Sequence, residues 1–176
     1  MALEIVGHAI VTTDGMIADR NHRTPDVLRR DADWQRFQAQ LDRSRLVVLG
    51  RLGHEAYPNP GRLRLVATTR VVRLDLDPND PRAIFWNPKA VGPREVLDEL
   101  GITDGIVAVT GGTRVFDLFL HLFTAFDLVR VAGVTVPDGV PCFTGGDPRQ
   151  VLPAQGLRAA QTVGLDAAAT LTIWRR

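Results

Sequence analysis

Three separated segments of the chain each place glycine, threonine or arginine directly after a short apolar run. The segments are Gly50-Arg51 after residues 46–49, Thr68-Thr69-Arg70 after residues 65–67, and Gly111-Gly112-Thr113-Arg114-Val115 after residues 106–109. Glycine lets the backbone approach a phosphate closely, whereas threonine and arginine donate hydrogen bonds to its oxygens. Such apolar runs are typical of buried parallel strands, whose carboxyl ends share one edge of the sheet. Together the segments predict a cradle for an anionic cofactor.

Arg51 and Arg70 indicate which anion that cradle would hold. If both follow strands that end at the same edge, they could meet the phosphate on the adenosine ribose of NADPH, with Thr68 and Thr69 as neutral donors beside them. A simpler interpretation stays open for each segment taken alone. Gly-Gly is common in tight turns that bind nothing, and a lone arginine is usually a solvated surface residue.

Asp33 is the candidate acid. It stands at the start of a predicted helix on which Trp34, Phe37 and Leu41 recur at spacings of three and four. Aromatic walls disfavour the charged form of a carboxyl and raise its pKa, which suits proton donation. The alternative is that Asp33 or Asp31 only caps the helix, which is the commonest use of aspartate there, and the sequence alone favours capping.

The remaining reactive residue types indicate no further site. The four histidines are distant from any cluster of cysteines or carboxylates, so no metal site is predicted: they are His8, His22, His54 and His121. Cys142 is the single cysteine, and its neighbours Pro141 and Phe143 suggest a packing role.

The overall composition is that of a globular protein, with 176 residues, 45% of them hydrophobic and 23% charged. This length predicts a single domain over residues 1–176. A formal net charge of +1 gives no reason to expect a nucleic-acid or membrane partner. No signal segment precedes the first strand pattern, and no apolar run approaches the roughly 20 residues of a membrane span. We therefore expect a cytoplasmic protein.

The pattern of elements predicts an α/β fold. Strands are predicted at 3–13, 45–49, 63–68, 83–86, 106–109 and 128–136, helices after Asp33 and at 93–100 and 113–122, a loop at 20–30, a surface turn at 75–81, and a closing antiparallel hairpin at 157–174. Strands alternate with helices until about residue 125 and then follow one another. This order predicts a mostly parallel central sheet with an antiparallel C-terminal edge and helices on both faces.

The order of these segments resembles that of the dihydrofolate reductase superfamily over most of the chain. The matching residues are 3–18 for a strand and flexible loop, Asp33 with Phe37 on an acid-bearing helix, Gly50-Arg51, Pro60-Gly61-Arg62 before Thr68-Thr69, and Gly111-Gly112 followed by Phe116. The resemblance implies a dihydrofolate-reductase-like fold of three layers and NADPH as the cofactor. It also implies Phe37, Arg62 and Phe116 as substrate contacts.

Residues 12–18, Thr-Thr-Asp-Gly-Met-Ile-Ala, look more like the Ser-Leu-Asp-Gly-x-Ile-Ala stretch of another branch of that superfamily. This branch contains the reductase domain of riboflavin biosynthesis, which reduces a ribosylamino-pyrimidine phosphate with NADPH. Residues 140–146 are similar to its late loop, rich in proline and glycine. The branch implies Asp14 as a further substrate contact. It also implies a homodimer, formed through an edge strand or through the strands around residues 129–136.

Three positions depart from the folate enzymes themselves. Gly53 stands where they carry Thr or Ser, Phe116 where they carry Tyr, and Ala132 where a late Thr supports the substrate acid. Loss of that hydroxyl would leave a buried amine of a pterin unpaired, which argues against folate as the substrate. Arg62 is compatible with either branch, because its guanidinium could bind a carboxylate tail or a substrate phosphate.

The leading hypothesis is therefore an NADPH-dependent reductase of a small heterocyclic or ribosylamino-pyrimidine-like substrate. A hydride would reach a C=N or C=O bond, Asp33 would supply the proton, and the loop after Gly15 would cover the nicotinamide. Two alternatives stay open: dihydrofolate reductase activity proper, and a non-catalytic nucleotide-binding protein on the same fold.

Overall fold

Strands and helices alternate along most of the chain. The computed structural model describes residues 1–176. Its elements are β1 (Leu3–Val11), β2 (Met16–Ala18), α1 (Asp31–Arg43), β3 (Leu46–Gly50), α2 (Arg51–Ala56), β4 (Arg64–Ala67), β5 (Leu74–Asp77), β6 (Asp80–Trp86), α3 (Pro93–Glu99), β7 (Gly105–Val109), α4 (Thr113–Phe119), β8 (Ala125–Val131), β9 (Val140–Pro141), α5 (Pro148–Ala154), β10 (Arg158–Gly164) and β11 (Ala169–Arg175). None of the helices has both the length and the apolarity needed to cross a membrane.

Nine strands form one sheet in the order β10-β11-β8-β1-β7-β3-β4-β6-β5. The six central strands, from β8 to β6, pair in parallel, and the hairpin of β10 and β11 adds an antiparallel C-terminal edge. This confirms the predicted α/β fold with its mostly parallel sheet. The opposite edge is also antiparallel, because β5 pairs with β6. Strands β2 and β9 form a separate small sheet.

The fully apolar strands carry side chains to both faces of the sheet. On β3, Leu46 and Val48 join the larger core beneath α3 and α4, whereas Val47 and Leu49 pack with Leu41 of α1 on the other face. Burial on both faces explains why this strand has no polar alternation. The helices therefore form a layer on each side of the sheet, as predicted.

Several local predictions were wrong. Residues 75–81 form a hairpin of β5 and β6 instead of a plain surface turn, because the Asp77 and Asp80 carboxylates accept backbone N–H groups and tighten the reversal. Helices α2 and α5 were missed, because α2 has only six residues and α5 contains Pro153 in its interior. Strand β8 begins at Ala125 and ends at Val131, earlier than the predicted 128–136.

Candidate functional site

The carboxyl ends of β4, β3 and β7 lie side by side at one edge of the sheet. Gly50 stands opposite Ala67 on β4, and its N–H donates to the carbonyl of Gly111, 2.9 Å away. The three segments singled out in the sequence are thus neighbours in space. We call this group the phosphate cradle: Gly50, Arg51, Thr68, Thr69, Arg70, Gly111, Gly112, Thr113, Arg114 and Val115.

The Gly111-Gly112 turn depends on the absence of side chains. Gly111 has a φ of +100°, and a Cβ there would lie 2.8 Å from the Phe116 ring, so a side chain at this position would collide. Phe116 is buried beneath the turn and packs against Phe126 and Phe143. The structure therefore places Phe116 as a support of the turn, and its predicted substrate contact stays a prediction.

The residues that follow Gly112 differ in whether their side chains are free to bind a ligand. Thr113 donates its hydroxyl to the carbonyl of Pro141 at 2.5 Å, and Val115 is buried behind Gly50. Arg114 is exposed and forms no ion pair within the protein. Arg114 is accordingly the cradle residue with a free cationic group.

The other two arginines of the cradle, Arg51 and Arg70, both lie close to the carboxylate of Glu55. Nη1 of Arg51 lies 2.7 Å from Oε1 of Glu55, and Nη1 of Arg70 lies 3.9 Å from the same oxygen. Thr68 is buried and accepts the backbone N–H of Arg70, whereas Thr69 is exposed. A cavity of about 590 Å³ is lined by Arg51, Glu55, Thr68 and Arg70 and extends to the β5–β6 hairpin.

Asp33 does not cap a helix. Helix α1 begins at Asp31 after Arg30, and no side chain caps its first turn, so the capping interpretation of Asp31 and Asp33 was wrong. The Asp33 side chain is only 13% exposed. Burial raises the pKa of this carboxyl above its ordinary value, and the guanidinium of Arg36 opposes that shift. Asp33 is thus placed and tuned as a group that can hold a proton.

Four polar side chains form a buried cluster, which we call the acid cluster: Asp33, Arg36, Asp127 and His8. Nη2 of Arg36 lies 3.1 Å from Oδ1 of Asp33, and its Nη1 lies 2.8 Å from Oδ2 of Asp127. His8 faces Asp127 across the parallel pair β1 and β8, with Nδ1 3.5 Å from Oδ2. Burial lowers the pKa of His8 to about 4, although Asp127 opposes this shift, so its imidazole is neutral near pH 7.

The sequence analysis missed His8, Arg36 and Asp127 as partners of Asp33. A partial signal was present, because His8 and Asp127 stand among mostly apolar residues of β1 and β8, although these strands also contain Glu4 and Arg130. Ala132, considered as the replacement for a supporting threonine, lies just beyond the end of β8. Asp127 is instead the polar residue of β8 that faces the acid on α1.

An aromatic wall continues from the acid cluster. The Phe37 ring centre lies 5.7 Å from that of His8 and 6.1 Å from that of Trp34, which lies 6.4 Å from that of Tyr57. Trp34 and Tyr57 are about half exposed. Phe37 is therefore placed beside Asp33, where a planar substrate could stack.

The two other predicted substrate contacts, Arg62 and Asp14, form hydrogen bonds to groups of the protein itself. Arg62 binds the Asp42 carboxylate through Nε and Nη2 and the Asn59 side chain through Nη1, towards the far end of α1. Asp14 accepts the Thr12 hydroxyl at 2.5 Å and the N–H of Val136 at 3.3 Å, which holds the loop between β1 and β2. Their roles in substrate binding stay predictions.

No metal or nucleophile site accompanies these groups. No three His, Cys, Asp or Glu residues are arranged to hold a metal ion. Cys142 is buried, and burial raises the pKa of its thiol well above the ordinary value, which fits the predicted packing role.

Comparison with known proteins shows the likeness at the level of structure. No family model and no curated protein matches the sequence. A protein assigned to riboflavin biosynthesis from Shewanella sp. PV-4 has a TM-score of 0.74 and 17% identity over 100% of this chain and 99% of its own. Dihydrofolate reductase from Enterococcus faecalis, solved with NADP(H), has a TM-score of 0.71 and 16% identity, covering 98% of this chain and 96% of its own.

A larger enzyme has a similar structure over part of its length. The diaminohydroxyphosphoribosylaminopyrimidine deaminase/5-amino-6-(5-phosphoribosylamino)uracil reductase of Thermotoga maritima has a TM-score of 0.74 and 15% identity over 99% of this chain. The present chain spans 56% of that one. Identities this low establish a shared fold and leave activity to be argued from the site itself.

Proposed function

Because the chain has the dihydrofolate-reductase-like fold, shared with reductases of folate and riboflavin metabolism, we propose that it is an NADPH-dependent reductase. The substrate would be a small heterocycle of the ribosylamino-pyrimidine type. One observation carries the proposal. The phosphate cradle is built on β4, β3 and β7, and β1, the next strand of the same sheet, carries His8 of the acid cluster. The proposed nucleotide site would thus be next to the acid cluster, in which Asp33 of α1 is the proposed proton donor.

The residues of the cradle fit a dinucleotide phosphate. Arg51 and Arg70, which line the cavity, would bind the phosphate on the adenosine ribose together with Thr69, and the backbone at Gly112 with Arg114 would bind the pyrophosphate. The carboxylates of Asp75 and Asp77 line the same cavity and would repel a phosphate, as would that of Glu55. The exposed pairs of Glu55 with the arginines would have to exchange for pairs with the phosphate.

The proposed chemistry needs one hydride and one proton. Reduced nicotinamide, when bound, supplies the hydride. Asp33 would deliver the proton to the nitrogen or oxygen of the reduced bond, directly or through one water, because burial favours its protonated form. Phe37 would hold the substrate ring beside it, and the segment after Gly15 would exclude water.

Two other functions remain as outcomes of the test. Dihydrofolate reduction is favoured by the placement of Asp33 and Phe37 one helical turn apart on α1. A non-catalytic nucleotide sensor would use the same cradle without the acid.

The first experiment measures dissociation constants of NADPH and NADH by fluorescence at one salt concentration. We expect micromolar or tighter NADPH binding and weaker NADH binding. Consumption of NADPH is then followed with pyrimidine and pterin substrates, and the folate alternative predicts turnover of dihydrofolate that antifolates inhibit. Absence of binding by either nucleotide would refute the reductase proposal. Binding without turnover of any substrate would favour the sensor.

We also propose that the chain forms a homodimer through β10. This strand pairs only with β11, and all of its residues are exposed, so its outer edge is free to pair with a second copy. The strands around residues 129–136 are a poorer choice, because β8 is already flanked by β1 and β11. Sedimentation of the wild type and of a Thr162→Pro variant tests this, since proline removes an edge N–H. A monomeric wild type would refute the proposal.

A further inference from the structure

The acid cluster contains two carboxylates and only one permanent cation. Nη2 of Arg36 lies 3.1 Å from Oδ1 of Asp33, and its Nη1 lies 2.8 Å from Oδ2 of Asp127. No other arginine or lysine pairs with either carboxylate. Burial lowers the pKa of His8 to about 4, so its imidazole adds no positive charge at neutral pH. With both carboxylates ionised, the cluster would therefore hold an excess of negative charge.

Burial makes such an excess charge unfavourable. The side chains of Asp33 and Asp127 are only 13% and 12% exposed, and that of Arg36 between them is 20% exposed. A buried group without a compensating charge binds or releases a proton instead of remaining ionised. The balanced form of the cluster has one ionised and one protonated carboxylate beside the guanidinium. The two aspartates thus share one retained proton and titrate as a coupled pair.

The contacts of the two aspartates decide where this proton resides. Oδ2 of Asp127 has the shorter contact with Arg36 and also faces Nδ1 of His8 at 3.5 Å. Asp33 has the longer contact, through Oδ1, and its Oδ2 forms no hydrogen bond within the protein. The negative charge is therefore favoured on Asp127, where the cation is nearer, and the proton on Oδ2 of Asp33. Burial raises the pKa of Asp33 above its ordinary value, which agrees with this placement.

From this count of charges we propose that Asp127 is a positioning residue that acts through Arg36: it pairs with the guanidinium, so that the one retained proton stays on Asp33. Without the charge of Asp127, Arg36 would compensate Asp33 alone and would favour its ionised form, which has no proton to donate. The charged groups around Asp33 are Arg36 on its own helix and Asp127 on β8, and the neutral His8 of β1 faces Asp127. This inference rests on the proposed function for the use of the proton, and not for its location.

The test measures the ionisation of Asp33 directly, by carbon-13 NMR of protein labelled in its aspartate carboxyls, without cofactor or substrate. The spectrum of Asp33→Asn identifies the signal. The wild type is compared with Arg36→Met and with Asp127→Asn, which keeps the shape of the side chain but removes its charge. The matched control is Asp98→Asn, which removes an aspartate from an exposed ion pair on α3. Melting temperature reports whether each variant is folded.

In the wild type, Asp33 should titrate above the ordinary aspartate value of about 3.9. Asp127→Asn should lower this midpoint by at least about one pH unit, a tenfold change in the ratio of protonated to ionised form. Arg36→Met should raise it, because the cation is lost, and Asp98→Asn should not move it. A wild-type midpoint at or below the ordinary value would overturn the inference, even if neither buried variant folds. A midpoint that Asp127→Asn leaves unchanged or raises would also overturn it.

A pH profile of turnover then separates this role from a purely structural one. Turnover that needs protonated Asp33 should decline as the pH rises through the Asp33 midpoint. Asp127→Asn should move that decline to lower pH by the shift seen in the NMR titration, whereas Asp98→Asn should leave it in place. A decline at the same pH in Asp127→Asn, with only a lower maximum, would contradict the proposed role. Failure to turn over any substrate would count against the proposed function, and the NMR titration would still decide this inference.

Discussion

The phosphate cradle and the acid cluster both combine arginines with carboxylates, but they differ in burial. In the cradle, Arg70 is 68% exposed and its partner Glu55 is 53% exposed. In the acid cluster, the side chains of Asp33 and Asp127 are nearly buried around Arg36. Exposed ion pairs contribute about 0–1 kcal/mol, whereas breaking a buried pair costs roughly 3–5 kcal/mol. The cradle can therefore exchange its partners for a ligand, and the acid cluster is fixed before a ligand binds.

Asp33→Asn should cause the largest loss of activity. The amide cannot supply the proton, so we expect turnover to fall by a factor of about 10²–10⁴. The dissociation constant of NADPH should remain within about twofold, because the cradle is built on other elements. Steady-state assays with a substrate found in the screen of pyrimidines and pterins measure turnover, and stopped-flow fluorescence measures NADPH binding. Equal turnover in the variant would show that another group or water delivers the proton.

Asp127→Ala should produce the largest loss of stability. It leaves Arg36 with one carboxylate and removes the charge that faces His8. We expect the free energy of unfolding to fall by about 3 kcal/mol, measured by urea denaturation. Glu55→Ala, the matched removal of a carboxylate from the cradle, should lower it far less, because solvent screens exposed ion pairs. Equal losses in the two variants would contradict the contrast between the two regions.

Acid should destabilise the protein through His8. Its folded pKa of about 4 lies below the ordinary 6.5, so the unfolded chain binds the proton more readily. The stabilisation is complete above pH 6.5 and is lost as the pH falls towards 4, by about 3 kcal/mol in total. Around His8, Asp127 and Arg36 carry the charges that face it, and Phe37 packs against it. Asp33, whose pKa is raised, acts in the opposite direction.

A His8→Gln variant isolates this contribution. Unfolding measured between pH 7 and pH 4 should show a smaller loss of stability than in the wild type, since glutamine does not titrate. If the two curves are parallel, then His8 is not the group responsible.

The smallest predicted change is in the affinity of the cradle for NADPH. Glu55→Gln removes the carboxylate that lies between Arg51 and Arg70. We expect NADPH to bind about two- to fivefold more tightly, because one solvent-screened repulsion between a carboxylate and the phosphate is lost, while NADH binding changes little. Fluorescence titration measures both. Tighter binding of NADH as well would show that Glu55 does not act through the phosphate on the adenosine ribose.

The cradle could be predicted from the sequence, and the acid cluster could not. Gly50, Thr68 and Gly111 each follow an apolar run, and parallel strands bring such positions together by geometry alone. Arg36 and Asp127 are 91 residues apart, and their contact depends on how α1 crosses the sheet. Asp33 was found through its helix, but nothing in the sequence marks Arg36, one turn later, as its partner. Short elements such as α2 were missed because six residues carry too little periodicity.

The Thr113 hydroxyl, which donates to Pro141, ties the turn of the cradle to β9, the strand that pairs with β2. Cys142 N–H in turn donates to the carbonyl of Gly15, at the start of the loop that would close over the substrate. A nucleotide bound at Gly112 and Thr113 would therefore contact a turn that is hydrogen-bonded, through Pro141 and Cys142, to the segment around Gly15. Steady-state kinetics should accordingly be ordered, with NADPH adding first and the oxidised nucleotide competing only against it.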